Sequence, residues 1–324
     1  MQDAYELWHS FLCRVGWGDR MARSAPYLFC RYEIRDKDEN VLSPDKELEL
    51  FEGLIGEPVA HRIRDPKKED FDTYLVKPRK KQIAGHRAHT WEVAQDIRFR
   101  ERSRYNKDKD ETIDDTIRAS DEIRHTKFIG LPTLKVFAVD DRISERALGA
   151  RSACSRLRSI IEDLSDNEIT ISFAGTPEDT QRALETWTLD RFSFTVRPFN
   201  PTPTKLGEKI HDLLIVDHVG KLQAVAYPDQ SHEMRDSHEG IISEAKGLSD
   251  AGYGQVAASG TTPSGVRATL SKPKFEMDKE KNKQHQTENR VLKIYIEGGQ
   301  TPTDEETAVV KALLDLYGKH PRKA

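Results

Sequence analysis

The 324-residue sequence has only three cysteines, Cys13, Cys30 and Cys154, at unrelated spacings. An odd count without a C-x-x-C pair excludes a disulfide framework and a four-cysteine zinc site, and it suits a reducing compartment. Long apolar runs are also missing. The longest uninterrupted aliphatic stretch is Leu213–Val216, far short of the roughly 20 residues a membrane-spanning helix needs. The first residues include Asp3 and Glu6 and lack a basic, then apolar, signal pattern, so a cytoplasmic location is expected.

The known catalytic fingerprints are absent as well. There is no Walker P-loop, no dinucleotide-binding glycine fingerprint, no G-x-S-x-G and no zinc-finger spacing. Their absence argues against a self-contained nucleotide-driven enzyme, and no cofactor is implied. Gly252-Tyr253-Gly254 reads as a turn into a strand rather than a phosphate cradle.

What is present is charge, at 33% of residues against 36% hydrophobic. This balance fits a globular chain with a wide solvated surface. The net charge of −4 gives no overall steering toward an anionic partner, but its distribution is uneven. Residues 32–60 hold nine acids and three bases, whereas residues 77–109 hold eleven bases and four acids. Such asymmetry marks either two solvated faces of one domain or a surface for nucleic acid or an acidic partner.

Periodicity places the elements. Strands are expected at 26–35 and 71–77, with a short helix at 45–55 carrying Leu48, Phe51 and Leu54. The almost wholly polar stretch from Arg98 to Asp110 reads as an exposed loop. A strand at 134–139 then leads into a helix at 144–164, with Ala147, Ala150, Cys154, Leu157, Ile161 and Leu164 in one stripe. Strands follow at 168–174 and 191–197, and between them Thr176, Pro177 and Asp179 announce a helix start. In 191–197, Phe192, Phe194 and Val196 alternate with Ser193 and Thr195, which predicts an antiparallel sheet with one wet face.

The prolines of 198–203 suggest a module boundary. Beyond it a helix is expected at 204–217, a strand at 221–227, and a helix at 237–249 opened by Asp236 and Glu239. A hairpin at 253–271, a mobile polar loop at 272–290 and a strand at 291–296 complete the pattern, with a last helix capped by Thr303 and Glu306. The expected class is α+β, with antiparallel sheets and helices packed on one face, in which ferredoxin-like or RNA-recognition-like modules are candidates. The expected organisation is an irregular N-terminal region at 1–130, an α/β sandwich at 131–200 and a C-terminal module at 201–324.

Several constellations resemble catalytic ones. Glu244-Ala245-Lys246 has the letters of a metal-dependent nuclease, with Asp229 and Asp236 upstream, but that motif belongs on a strand and these residues fall in an expected helix. His232, Glu233, Asp236, His238 and Glu239 cluster without a recognised ligand spacing. His211-Asp212 and Asp217-His218 have the letters of an HD phosphohydrolase, yet neighbouring residues on one helix do not converge. His86 and His89 would suit acid–base work near neutral pH, or are simply surface residues.

The nucleic-acid features are more numerous. Lys77, Arg79, Lys80, Lys81, Arg87, Arg98, Arg100, Arg102 and Arg104 are interleaved with Trp91, Phe99 and Tyr105, so that cations would meet phosphates and aromatics would stack on bases. Arg191 and Arg197 would add to a polar sheet face. The segments PFNPTP and SEAKGLSDAGYGQVAASG resemble an uncharacterised family of bacterial proteins found near phage-defence genes, and that resemblance carries no catalytic residues. The expected function is therefore a DNA- or RNA-binding or sensing subunit of antiviral defence that works with a separate effector, and a protein partner or homo-oligomer is expected. The alternatives are a metal-dependent nuclease or RNA-processing enzyme and a protein-binding scaffold.

Overall fold

The computed structural model describes residues 24–61, 71–106, 111–144, 146–196, 214, 216–271, 275–278, 283–286, 291–297 and 301–318. The chain folds as two compact units. One is Tyr32–Ile171, called here the inserted unit, and the flanking unit is built from the residues before and after it. The three sequence modules do not correspond to these units one for one, and the proline-rich boundary lies mostly outside the described residues. The fold is α+β, an antiparallel sheet with five helices among the described residues.

Strand β1 (Ala25–Arg35) enters the inserted unit and is followed by helix α1 (Pro44–Gly53). Ser43 caps α1 by accepting from the Lys46 N–H, proline opens its first turn, and Asp45 and Glu47 sit where the helix dipole favours acids. Then β2 (Val59–His61), β3 (Phe71–Ile83), β4 (His86–Asn106), β5 (Glu111–Leu131) and β6 (Val136–Asp140) pair in the order β6-β5-β4-β3-β2, every contact antiparallel. This is a meander, not the interleaved order of a ferredoxin-like module. Ala84 and Gly85 both take positive φ, the geometry a two-residue hairpin needs between β3 and β4.

The core of this unit is aromatic. The Trp91 ring lies 5.1 Å from that of Phe51 on α1 and 5.3 Å from that of Phe128, and Phe128 lies 5.3 Å from Phe137. All four side chains are almost fully buried. Tilted and offset contacts of this kind add about 0.5–1.5 kcal/mol each beyond their area. Helix α2 (Ala150–Leu164) buries Ala150, Ala153, Cys154, Leu157, Ile160 and Ile161, much of the expected stripe. It starts six residues later than periodicity suggests. A small hairpin of β7 (Ile143–Ser144) and β8 (Ala147–Leu148) takes up the intervening chain, and Asp141 accepts from the Ala150 N–H.

Two expectations for the inserted unit need correction. Arg98 to Asn106 is not a loop but the continuation of β4, laddered with β5 from Phe99↔Arg118 to Asn106↔Glu111. Its polar composition hid a strand whose partner, Thr112 to Ile117, is rich in β-branched residues. In α1, Glu47 rather than Leu48 shares the buried side with Phe51.

The flanking unit contains β9 (Glu168–Phe173) in part, α3 (Pro177–Thr186), β10 (Thr188–Val196), β11 (Leu222–Ala226), α4 (Ile241–Asp250), β12 (Gly254–Thr261), β13 (Arg267–Leu270), β16 (Leu292–Ile296) and α5 (Pro302–Tyr317). Its sheet order is β11-β10-β12-β13-β16-β1. The α3 start is a full capping box between Thr176 and Asp179. Other ends differ from expectation. The α4 cap is Gly240 without a side-chain bond, because Asp236 is buried and accepts from the His238 N–H and from Gln181 instead. The α5 cap is Thr301 with Asp304, two residues before the expected pair.

The wet face expected on β10 is also corrected, since Ser193 and Thr195 are buried. Short side chains on a strand paired on both sides, here with β11 and β12, are shaded by their neighbours. Within the stretch expected to be a mobile loop, β14 (Phe275–Asp278) and β15 (Lys283–Gln286) pair as a hairpin.

Candidate nucleic-acid interface

Strand β4 changes its surroundings along its length. From His89 to Gln95 it is flanked by β3 on one side and β5 on the other. Beyond Ile97, among the described residues, β4 and β5 pair only with each other. The result is a two-stranded ribbon about ten residues long, or roughly 30 Å. Arg100, Arg102 and Arg104 occupy alternate positions of β4, and alternate positions of a strand share a face. Their register partners are Ile117, Asp115 and Ile113. A register shift between Ile97 and Phe99 leaves Arg98 outside the ladder, and Phe99 is paired with Arg118.

The basic end of β3 lies toward the opposite end of β4 from the ribbon: Lys80 pairs with His89 and Lys81 with Ala88, whereas Thr73, paired with Gln95, is the β3 residue beside the ribbon's base. Lys77 has positive φ beside Pro78, at a bulge between Val76 and Arg79. Proline has no N–H to offer the ladder, which accounts for the break. Lys77, Arg79 and Lys80 are exposed, and Lys81 and Arg87 are half-buried. Two of these cations share one acid: Asp45 of α1 pairs with Arg87 and, at 3.7 Å, with Lys80. The hydrogen bond from Arg87, with the charges of both cations, holds the Asp45 carboxyl below its usual range. Lys77 pairs at 3.0 Å with Glu92, which also receives His125 at 3.0 Å.

The remaining predicted residues separate. Trp91 is 1% exposed and packed against Phe51, so it cannot stack on a base; this stretch of β4 is buried on both faces, with Ala88, Thr90 and Ala94 buried as well. Arg191 is half-buried on β10 in the flanking unit, and Arg197 lies outside the described residues. Lys246 pairs at 2.6 Å with Asp250 one turn along α4, so Glu244-Ala245-Lys246 has a helical setting rather than a strand. His232 closes a turn onto Asp229, with a ring contact of 3.1 Å, and His238 faces Glu185 at 3.6 Å. Asp217 and His218 lie in a turn, and His211 and Asp212 are outside the described residues.

Sequence reasoning missed a buried polar cluster beneath α1. Glu47, with no exposed surface, accepts from the Tyr32 hydroxyl at 2.8 Å and from Lys135. Lys135 also donates to the Leu42 carbonyl at 2.5 Å. Burial raises the pKa values of both Tyr32 and Glu47. With a donor on each carboxylate oxygen, Glu47 fastens α1 to the sheet and is not available as a base. The only sequence signal was an acid at helical spacing from a buried phenylalanine.

Among the described residues no group of three or more His, Cys, Asp or Glu side chains stands ready to hold one metal ion, and no helix is long and apolar enough to cross a membrane. No family model matches this chain, and no curated protein matches it.

Proposed function

We propose that the protein binds nucleic acid in the bacterial cytoplasm, as the docking or sensing subunit of an antiviral defence system with a separate effector. The observation that carries this reading is the β4–β5 ribbon with its row of arginines. A two-stranded antiparallel ribbon fits the major groove of duplex DNA, which is about 12 Å wide. Alternate strand positions recur about every 7 Å, close to two phosphate rises of about 3.4 Å each along one strand. The exposed Lys77, Arg79 and Lys80 form a second cationic patch toward the other end of β4. The defence setting rests on the resemblance carried by PFNPTP and SEAKGLSDAGYGQVAASG.

Fluorescence anisotropy with labelled duplex DNA, single-stranded DNA and RNA tests the reading. Binding should weaken steeply with added salt and should fall in an Arg100→Gln, Arg102→Gln, Arg104→Gln triple variant. No binding to any of the three at low salt rejects it.

A second reading has its own support. Residues 97–106 carry four arginines and one acid, whereas residues 111–122 carry five acids and one arginine, so the ribbon is close to charge-balanced. Asp115 stands directly opposite Arg102. A balanced ribbon suits a protein partner better than a phosphate backbone. On that reading the triple variant loses a stoichiometric protein partner and leaves nucleic-acid binding where it was.

A further inference from the structure

The imidazole of His89 is the least expected group in the inserted unit. It is 1% exposed, and neither Nδ1 nor Nε2 has a hydrogen-bond partner. A neutral imidazole offers one donor and one acceptor, and buried polar atoms are nearly always paired, so a ring with neither bond satisfied calls for a reason.

Its surroundings supply one. On β4 itself the neighbouring charge is Arg87, β3 contributes Lys80 and the turn before β6 contributes Lys135. From α1 comes one counter-charge, Asp45, with Glu47 beyond it already bound to Tyr32 and Lys135. Strand β5 places Gly130 opposite His89, and β6 places Phe137 opposite Gly130; neither carries charge. Three cations and one acid therefore surround a ring that has no acceptor for a second proton.

We propose that His89 is an acid-sensitive latch: protonation of its boxed-in ring releases helix α1 from the sheet, uncovers Trp91 and frees Lys80 and Arg87 from Asp45. The release stands on the packing alone. Its consequence rests on the nucleic-acid reading above, because Asp45 of α1 neutralises two cations of the proposed interface and would leave with the helix. Helix α1 is then an autoinhibitory cover over part of the basic surface.

The direction of the pH response follows from linkage. Burial, Arg87 and Lys80 lower the His89 pKa from 6.5 to about 4 in the closed form. The open form binds the extra proton more readily between these values, so the closed form is fully favoured above pH 6.5 and loses ground as pH falls toward 4. With an open-form value near 6.5, the opening equilibrium rises about thirtyfold between pH 7.5 and pH 5. Glu47 acts the other way, since its closed-form pKa is raised and its protonation favours closure.

Hydrogen exchange of the intact chain, corrected for the intrinsic effect of pH, tests the latch. Peptides covering α1 should lose protection between pH 7.5 and pH 5 by up to that factor, while peptides covering β12 keep theirs. His89→Gln should abolish the differential loss and Glu47→Gln should retain it. Unchanged α1 protection in the wild type, or the same loss in His89→Gln, overturns the proposal. If His89→Gln does not fold at pH 7.5, Lys80→Gln takes its place: with one cation fewer beside the ring, the response should shrink, and an undiminished response overturns the latch. Asp45→Asn with a labelled DNA duplex at pH 7.5 tests the cover separately. Tighter binding than wild type supports it, and equal or weaker binding overturns it whatever the exchange data show. Loss of all DNA binding in the wild type removes the interface reading but leaves the exchange test of the latch intact.

Discussion

The two ends of the β4–β5 pair make opposite use of the same ladder. At one end, His89, Trp91 and Val93 lie against an aromatic core, with α1 fixed above by Glu47, Tyr32 and Lys135. At the other, among the described residues, the two strands continue with only each other as strand partners. Burial and packing stabilise the first end, whereas the second relies on backbone hydrogen bonds and cross-strand pairs, each contributing only about 0.2–1 kcal/mol. One end is packed on both strand edges and against a helix, and the other is a strand pair alone among the described residues.

The largest break in that comparison is Trp91→Ala. It removes the ring that contacts Phe51, Phe128 and Phe137, and a cavity of that size costs about 3–5 kcal/mol. Urea unfolding followed by circular dichroism should show a lower midpoint with little change in slope. Next comes Glu47→Ala, which strands Tyr32 and Lys135. Breaking a buried pair is costly, but Lys135 keeps 27% exposure and can recover water, so the expected loss is about 2–3 kcal/mol.

How much of this contrast was legible in the sequence depends on whether the signal was local. The Thr176–Asp179 capping box, the β12–β13 hairpin around Thr261 to Gly265, and the α2 stripe through Cys154, Leu157 and Ile161 are set by residues a few positions apart, and all were readable. The ribbon was not, because a polar segment becomes a strand only when its partner is known, and that pairing is a property of two segments rather than one. The Glu47 cluster was hidden for the same reason: Tyr32, Glu47 and Lys135 converge from separate elements. For the candidate interface, the sequence could name the cations, but it could not distinguish Trp91 as a core residue or show that Asp45 pairs with Lys80 and Arg87.

A smaller effect sharpens the packed end from the other side. Gly130 is paired with His89, and a Cβ added there would meet the Trp91 ring at 2.9 and 3.0 Å. That ring is held on several sides and has little room to retreat. Gly130→Ala should therefore destabilise the protein by about 1–3 kcal/mol through overpacking. A matching change in near-ultraviolet circular dichroism would report the displaced indole. An unaltered midpoint would mean that the aromatic cluster is looser than its contacts imply.

The smallest expected change in stability belongs to the ribbon, and there the comparison becomes functional. Replacing Arg100, Arg102 and Arg104 with glutamine leaves the aromatic cluster around Trp91 unaltered, so stability should change by less than about 0.5 kcal/mol per site. Binding should respond quite differently. Each arginine that neutralises a phosphate adds about 0.9 to the slope of log affinity against log salt on duplex DNA. The triple variant should therefore flatten that slope by about 2–3 while leaving stability near wild type. A flattened slope with intact folding would separate the ribbon from the packed end by experiment. An unchanged slope would remove phosphate contact from the ribbon's role, and the near-equal count of acids and arginines along it would then favour a protein partner.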